Sequence, residues 1–329
     1  MLNERQRIGI LFLGCGCATR LHSRTLRRIG GVDLIYASRE YERAEELRRQ
    51  YAGRAAFASY EAGLADPAVD VALIATPPST HYDLAILALD AGKHVIVEKP
   101  AFLHSSDIEE VIDVAESRGC QVFVAENYHY KPIAQRLRCA IGEGQLGDVR
   151  FVTLNAIKRR DWNGWRGDPS LSGGGALFEA GVHWISFASN LGLEVTEIHA
   201  YRVGPEAPPD RSSLVTLRYA NGAVGTLAHS WELAAPFGGL RLSKVQGTRG
   251  AVTFESNGFG LVQTGRRRSV WLPITGDALG YRAMMQDFLG ALRRASSPRF
   301  TVEMARRDLI LLEAAEASMG SGAAMTRAL

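Results

Sequence analysis

No apolar run in this chain approaches the roughly 20 residues a helix needs to span a bilayer. Charge of one sign is also missing: 38 Lys and Arg stand against 35 Asp and Glu, and the net charge of +3 is spread along the chain and not gathered in a tail. That gives no case for a nucleic-acid partner. Cysteine is scarce, with four in 329 residues. Cys15 and Cys17 sit together in a glycine loop, too close on a tight turn for a metal site, and Cys120 and Cys139 stand alone. Such spacing excludes a disulfide framework and reads as reduced thiols of a cytoplasmic protein. What is present is ordinary globular composition, 46% apolar and 22% charged, enough to core about two domains.

The N-terminus carries a superficial likeness to a secretion signal: Arg5 and Arg7, then an apolar stretch from Ile8 to Leu13 that meets Gly14 and Cys15. The stretch is short, and Arg20, Arg24 and Arg27 follow at helical spacing. A buried parallel strand running into a helix explains the same residues.

The first part of the chain alternates strand and helix. Ile8–Leu13, Val32–Ala37, Val69–Ala75, His94–Val97 and Cys120–Ala125 read as strands. Between them, Cys17–Ile29, Tyr41–Tyr51, Thr80–Ala91 and Ser106–Arg118 carry apolar residues at helical spacing. This is the doubly wound α/β pattern of a parallel sheet with helical crossovers. After about Asn127 the pattern changes. A helix over Pro132–Ile141 ends in a glycine-rich turn, and strands then dominate: Val149–Ile157, Thr196–Val203, Leu214–Tyr219, Ala223–Trp231, Leu240–Val245 and Val252–Glu255. Asn221-Gly222 marks a hairpin. A helix-like insert covers Gly175–Leu191, and two helices, Arg282–Arg294 and Val302–Ser318, close the chain. The expected organisation is a dinucleotide-binding Rossmann domain over 1–127 and an α+β domain over 128–329 with a large, mostly antiparallel open sheet.

Gly14-Cys15-Gly16-Cys17-Ala18-Thr19 follows the first strand and opens the first helix. Gly14 permits the tight turn, Gly16 leaves room for pyrophosphate at the backbone N–H groups, and Thr19 replaces the usual third small residue. At the end of the second strand an NAD site expects a carboxylate for the ribose 2′-hydroxyl. This strand ends Ala37-Ser38-Arg39, with Arg43 one helical turn on. A hydroxyl and two guanidinium groups suit a 2′-phosphate, so NADP(H) is favoured, with NAD(H) the alternative. The competing reading is that Arg39 and Arg43 are the solvated start of a charged helix.

Thr76-Pro77-Pro78-Ser79-Thr80-His81, the run from Ala88 to Val95, and Glu98-Lys99-Pro100 together resemble the Gfo/Idh/MocA oxidoreductases. The likeness continues through Glu126-Asn127-Tyr128, the segment Trp165–Pro169, Gly173–Leu177 and an ending over Ala315–Gly322. The resemblance implies NAD(P)-dependent interconversion of a secondary hydroxyl and a carbonyl on a sugar, cyclitol or related polyol. It also implies a homodimer or homotetramer formed through the free face of the second sheet. Lys99 lies just past a strand's carboxyl end, where an ammonium can stabilise charge on a substrate oxygen. Glu179 and His183 stand four apart, so on a helix they share a face, and the carboxylate can orient the imidazole. By resemblance Lys99, Glu179 and His183 form the catalytic group, with His183 as acid/base. Thr76, Pro77, His81, Glu98 and Lys99 fall at positions bordering the cofactor. Trp162, Trp165 and Arg166 are candidate sugar contacts, Trp165 and Arg166 the stronger. Two departures stand out: Glu179 is one methylene longer than the family's usual aspartate, and Ser186 replaces a second acidic residue. No third ligand with suitable spacing supports a metal. His229 and Trp231 read as sheet residues. Two other functions fit the same fold: a dinucleotide-binding regulator without turnover, and a glycosidase that retains its cofactor.

Overall fold

The computed structural model describes residues 7–204, 209–235, 239–273, 276–321 and 325–326. Arg5 of the signal-like start and Gly322 of the family-like ending lie outside the described residues. The chain divides into two compact units, one of residues 1–126 and 281–306, the other of 127–280 and 307–329. The first unit thus takes in Tyr281–Arg306, far along the chain from the single cut expected at 127. The helix Tyr281–Arg294 explains this, because its buried face carries Phe288, whose ring stacks on Phe123 at 5.0 Å.

Six parallel strands form the sheet of the first unit: β1 (Ile8–Leu13), β2 (Val32–Ala37), β3 (Ala55–Phe57), β4 (Val71–Ile74), β5 (His94–Val97) and β6 (Val122–Val124). Their order is β3-β2-β1-β4-β5-β6, with the direction of winding reversing between β1 and β4. Every residue of β1 and β4 is buried, which is why these strands read as unbroken apolar runs. β3 was not expected. It is three half-buried residues at the sheet edge, too short for a periodic signal. Leu13 of β1 is in register with Ile74 of β4, so both chains leave the sheet at the same end. In such folds ligands bind outside the carboxyl ends of the strands at this reversal.

The second unit contributes nine strands: β7 (Val149–Ile157), β8 (Val195–Arg202), β9 (Ser212–Tyr219), β10 (Val224–Ser230), β11 (Leu242–Gly247), β12 (Gly250–Glu255), β13 (Leu261–Gly265), β14 (Ser269–Trp271) and β15 (Met325–Thr326). They lie in the order β14-β13-β12-β11-β7-β10-β9-β8-β15. All neighbours are antiparallel except β7 and β10. The expected hairpin at Asn221-Gly222 joins β9 to β10. Its turn is closed by Gly222 N–H donating to Tyr219 O at 2.8 Å, with Gly222 in the left-handed region at φ 82°. The strands β13 to β15 escaped the sequence pattern: β14 and β15 are three and two residues at the two edges of the sheet, and β13 is five residues beside β14.

Burial alternates along the central strands. In β10, Gly225, Leu227 and His229 face the covered side, while Val224 is exposed and Thr226 and Ala228 are half-buried. The expected single helix over 175–191 is instead a π-helical turn, Leu177–Gly181, leading into an α-helix, Val182–Ser189. Asp210 shapes this start: its backbone O accepts from Ala176 N–H at 2.9 Å and its carboxylate from Leu177 N–H at 3.0 Å. Further along, buried Asp308 accepts from Ser189 Oγ at 2.6 Å and from Asn190 Nδ2 at 2.9 Å, tying the end of that helix to Val302–Ser321.

Candidate active site

Three features of the first unit meet at the carboxyl end of its parallel sheet. The first is the glycine loop. Gly14 has φ 99°, and a Cβ there would sit 3.0 Å from both Ala75 O and Thr76 Cγ2, so only glycine lets β1 and β4 part at this distance. A Cβ on Gly16 would meet nothing within 4 Å, so no packing in the protein requires glycine there. Gly16 is also the N-cap of the 13-residue helix Cys17–Ile29, which has no side-chain cap and no acidic residue in its first turn. An open space at a helix N-terminus whose N–H groups lack a side-chain acceptor fits the pyrophosphate of a dinucleotide. Thr19 tightens the loop: it is fully buried, and its hydroxyl donates to Gly14 O at 2.7 Å. Burial pushes the Cys15 thiol up to about 11, against the hydrogen bond from Ser38.

The second feature is the end of β2. Ser38 is buried and accepts from Glu40 N–H at 3.1 Å. Arg39 is exposed beyond it. Arg43 is engaged by Glu40, Nε to Oε2 at 2.8 Å, with both side chains well exposed.

The third is the loop after β5. Glu98 N–H donates to Ile74 O at 3.0 Å, and Lys99 N–H donates to the Glu98 carboxylate at 3.1 Å. Glu98 Oε1 lies 2.5 Å from Nε2 of His22, a fully buried residue of the helix that the glycine loop opens. Burial opposes the Glu98 charge, but His22 and the Lys99 amine and N–H outweigh it and hold the carboxyl below its ordinary range. The Lys99–Pro100 peptide is cis. His81 does not present its ring to the surface. It is fully buried, with Nδ1 3.0 Å from Pro100 O and from Ala101 O, and Nε2 2.9 Å from Thr76 O. It therefore pins the Thr76 loop to the Lys99–Pro100 loop, and any effect on a cofactor passes through those backbones. Burial keeps its imidazole below the ordinary range. Thr80 supports the same loop, donating toward Thr76 Oγ1 at 2.7 Å and Pro77 O at 2.8 Å.

The second unit carries its own constellation. Glu179 is buried in the π-helical turn, with Arg166 Nε donating to Oε1 at 3.0 Å and Arg160 3.7 Å from Oε2. The wider turn replaces the regular four-residue step assumed between Glu179 and His183. The His183 ring lies flat on Tyr128, centroids 4.4 Å apart and planes 7° apart. Tyr128 also takes the Lys131 ammonium 3.6 Å from its ring centre and the Trp184 edge at 5.3 Å. Lys131 is itself buried, donating to Ser256 O at 3.3 Å. Trp165 lies under the Arg166 guanidinium at 4.5 Å, and Trp162 meets Trp231 edge-on at 5.2 Å. Burial draws the His229 imidazole down to about 4, the Glu179 charge opposing it, so His229 is neutral near pH 7.

Several of these partners were not singled out as site residues from sequence. His22 reads there as one more polar residue on an arginine-rich helix. Arg160 belongs to a basic triplet that reads as a solvated loop, and Lys131 precedes a proline with nothing to mark it as buried. Tyr128 had a signal, since it stands in the motif Glu126-Asn127-Tyr128.

Residues 8–126 match the family model described as the oxidoreductase family with NAD-binding Rossmann fold, Gfo/Idh/MocA, and residues 134–253 match a C-terminal domain model of the same family. The oxidoreductase YfiI of Bacillus subtilis is 31% identical over 200 residues, 56% of this chain; the chain spans about half of that protein, 51%. The trans-1,2-dihydrobenzene-1,2-diol dehydrogenase of Mus musculus is 30% identical over 251 residues, 73% of this chain and 72% of the relative. Among solved structures, levoglucosan dehydrogenase in complex with NADH and levoglucosan superposes with a TM-score of 0.86, covering 98% of this chain and 99% of its own at 21% identity. That last likeness is one of fold.

Proposed function

This chain belongs to the Gfo/Idh/MocA oxidoreductase family, and on that premise we propose that it interconverts a secondary hydroxyl and a carbonyl on a sugar, cyclitol or related polyol. One observation carries the reading. Lys99 follows β5 at the same end of the sheet as the glycine loop and the open N-terminus of helix Cys17–Ile29, which supports its ammonium as the group beside a bound dinucleotide's reactive half. When bound, the nicotinamide supplies hydride exchange with the substrate carbon.

The backbone N–H groups from Cys15 to Ala18 would hold the pyrophosphate, and Thr76 and Pro77 would border the bound cofactor. Lys99 donates to the substrate oxygen and stabilises charge that develops there. His183 carries the hydroxyl proton, its ring orientation held by Tyr128. Glu179 fixes Arg166, and through it the Trp165 face that receives the sugar ring. At the end of β2 the run Ala37-Ser38-Arg39 offers a buried hydroxyl and an exposed guanidinium where an NAD site expects a carboxylate, which supports NADP(H) as the preferred cofactor over NAD(H). The four unpaired thiols support a reducing, cytoplasmic setting. No helix among the described residues is long and apolar enough to cross a membrane.

The outer face of the second sheet supports self-association. Phe151, Leu214, Val224, Leu242, Val262 and Val270 are all exposed on it, and Phe151 is in register with Val224. Covering such a stripe with its own copy makes a homodimer or homotetramer.

The test is oxidation of NADPH, and of NADH in parallel, with a panel of ketoses and cyclitol ketones, and reduction of NADP+ and NAD+ with sugars and cyclitols. Turnover with at least one of them, absent in Lys99→Met while cofactor binding persists, is the expected result. Cofactor binding without turnover on any compound would favour the regulator. Glycoside cleavage with no net change in cofactor would favour the glycosidase.

A further inference from the structure

His22 and Glu98 come from parts of the first unit that the sheet does not join directly. His22 lies on the helix following β1, Glu98 follows β5, and β4 separates those strands. Their side chains nevertheless meet at 2.5 Å, His22 completely buried and Glu98 with 14% of its side chain exposed. His22 Nδ1 has no hydrogen-bond partner among the described residues. A proton on Nδ1 would be a buried donor without an acceptor, a cost of roughly 1–3 kcal/mol. The ring therefore carries its proton on Nε2 and donates it to Glu98. The Tyr281 ring packs T-shaped against it, centroids 5.8 Å apart and planes 74° apart. The second oxygen of Glu98 accepts the N–H of Lys99 at 3.1 Å. A continuous line of hydrogen bonds thus runs from the helix whose N-terminus faces the pyrophosphate site to the backbone of the amine that would meet the substrate.

We propose that His22 is a positioning residue: through Glu98 it sets the Lys99 backbone relative to the dinucleotide-binding helix, so that the cofactor and the ammonium are held by one frame. The inference rests on the oxidoreductase reading for its consequence, but the coupling itself is a property of the cofactor-free protein. His22 touches neither substrate nor cofactor. Its effect is on where Lys99 stands, and displacements of about 1 Å cost on the order of 100-fold in rate.

The experiment compares His22→Leu, His22→Gln and Glu98→Gln with the wild type by three measurements. The first is ¹⁵N NMR of the wild-type histidines, where His22 should show a protonated Nε2 and a bare Nδ1. The second is the rate at which acetic anhydride acylates Lys99 without cofactor, read by mass spectrometry. The third is turnover, with ADP-ribose binding as the control for the dinucleotide site. In His22→Leu, Lys99 should acylate roughly 5-fold faster and kcat should fall about 10- to 100-fold, with cofactor KM and ADP-ribose affinity within about 3-fold. His22→Gln keeps a donor within reach of Glu98 and should restore most of both. A proton on Nδ1, unchanged Lys99 acylation in His22→Leu, or a His22→Gln protein that binds ADP-ribose normally yet behaves like His22→Leu would each overturn the proposal. If His22→Leu does not fold, the tautomer and the Gln and Glu98→Gln variants decide it. If no sugar is turned over at all, the redox reading fails while the acylation rates still report the coupling.

Discussion

Arg39→Ala probes the choice of cofactor. Arg39 stands exposed past the end of β2, and its guanidinium is the first cation a 2′-phosphate would meet there. A hydrogen bond to a charged group contributes about 1.5–3 kcal/mol, and exposure to solvent moves Arg39 to the lower end of that range. Loss of about 1.4 kcal/mol is tenfold in Kd, so NADPH should bind roughly tenfold more weakly to the variant. NADH has a hydroxyl in place of the phosphate and should change by less than about twofold. Arg43 contributes less, because Glu40 holds it at 2.8 Å. Glu40→Gln releases it, and should tighten NADPH while leaving NADH alone. Both cofactors can be titrated by quenching of protein fluorescence. Because the pair is exposed, the NADPH advantage should shrink as ionic strength rises past about 0.1 M, where the screening length is near 10 Å. Equal weakening of NADH and NADPH in Arg39→Ala would refute the reasoning, since the arginine would then be acting on something both cofactors share.

Four further outcomes follow from the same structure. Gly14→Ala forces a Cβ into a backbone with φ 99° and to 3.0 Å from Ala75 O, so stability should drop by about 1–3 kcal/mol in urea unfolding, and dinucleotide binding should weaken with it. Thr19→Val removes the 2.7 Å bond to Gly14 O at nearly constant volume, and should cost about 1 kcal/mol in the same assay. Phe151→Asp with Val262→Asp places charge on the exposed apolar face and should convert the oligomer to monomers in light scattering; a wild type already monomeric at micromolar concentration would remove the self-association proposal. Burial pushes the Glu316 carboxyl up to about 8, with Asp210 and Glu313 adding to the effect and Arg202 opposing it. The native state therefore keeps a proton that the unfolded chain releases near 4.5, so this contribution to stability is complete below about 4.5 and is lost as pH rises through about 8. Glu316→Gln should accordingly raise Tm relative to the wild type at pH 9 and change it little at pH 4.

The elements that could be read from the chain were those whose signal is local. β1 and β4 are buried on both faces, so they appear as apolar runs, and the Asn221-Gly222 turn announces itself by composition. The glycine loop and Glu98-Lys99-Pro100 are contiguous and were found as words in the sequence. What escaped is non-local. The pairing of His22 with Glu98 spans 76 residues and depends on a fold that carries one helix past an intervening strand. The partners of Glu179 sit in a loop 13 and 19 residues upstream, and their arginines look the same as solvated ones until Glu179 is seen to be buried. Asp210 captures two backbone N–H groups at the start of the π-helical turn from a distant position, and regular helical spacing over 175–191 gave no hint of either. His81 was found by resemblance, but its burial and three carbonyl partners give it a role in bracing loops that a motif cannot convey.

The central claim is that an ammonium at the end of β5 serves a hydride exchange with a hydroxyl-bearing carbon. The most direct measurement supplies the reduced cofactor with both C4 hydrogens replaced by deuterium and follows the label by mass spectrometry in a turned-over ketose or cyclitol ketone. Deuterium should appear on the former carbonyl carbon, one atom per cofactor oxidised, and the signal should vanish in Lys99→Met with cofactor affinity intact. Full incorporation in Lys99→Met at the wild-type rate, or cofactor oxidation that leaves the label out of the product, would contradict it.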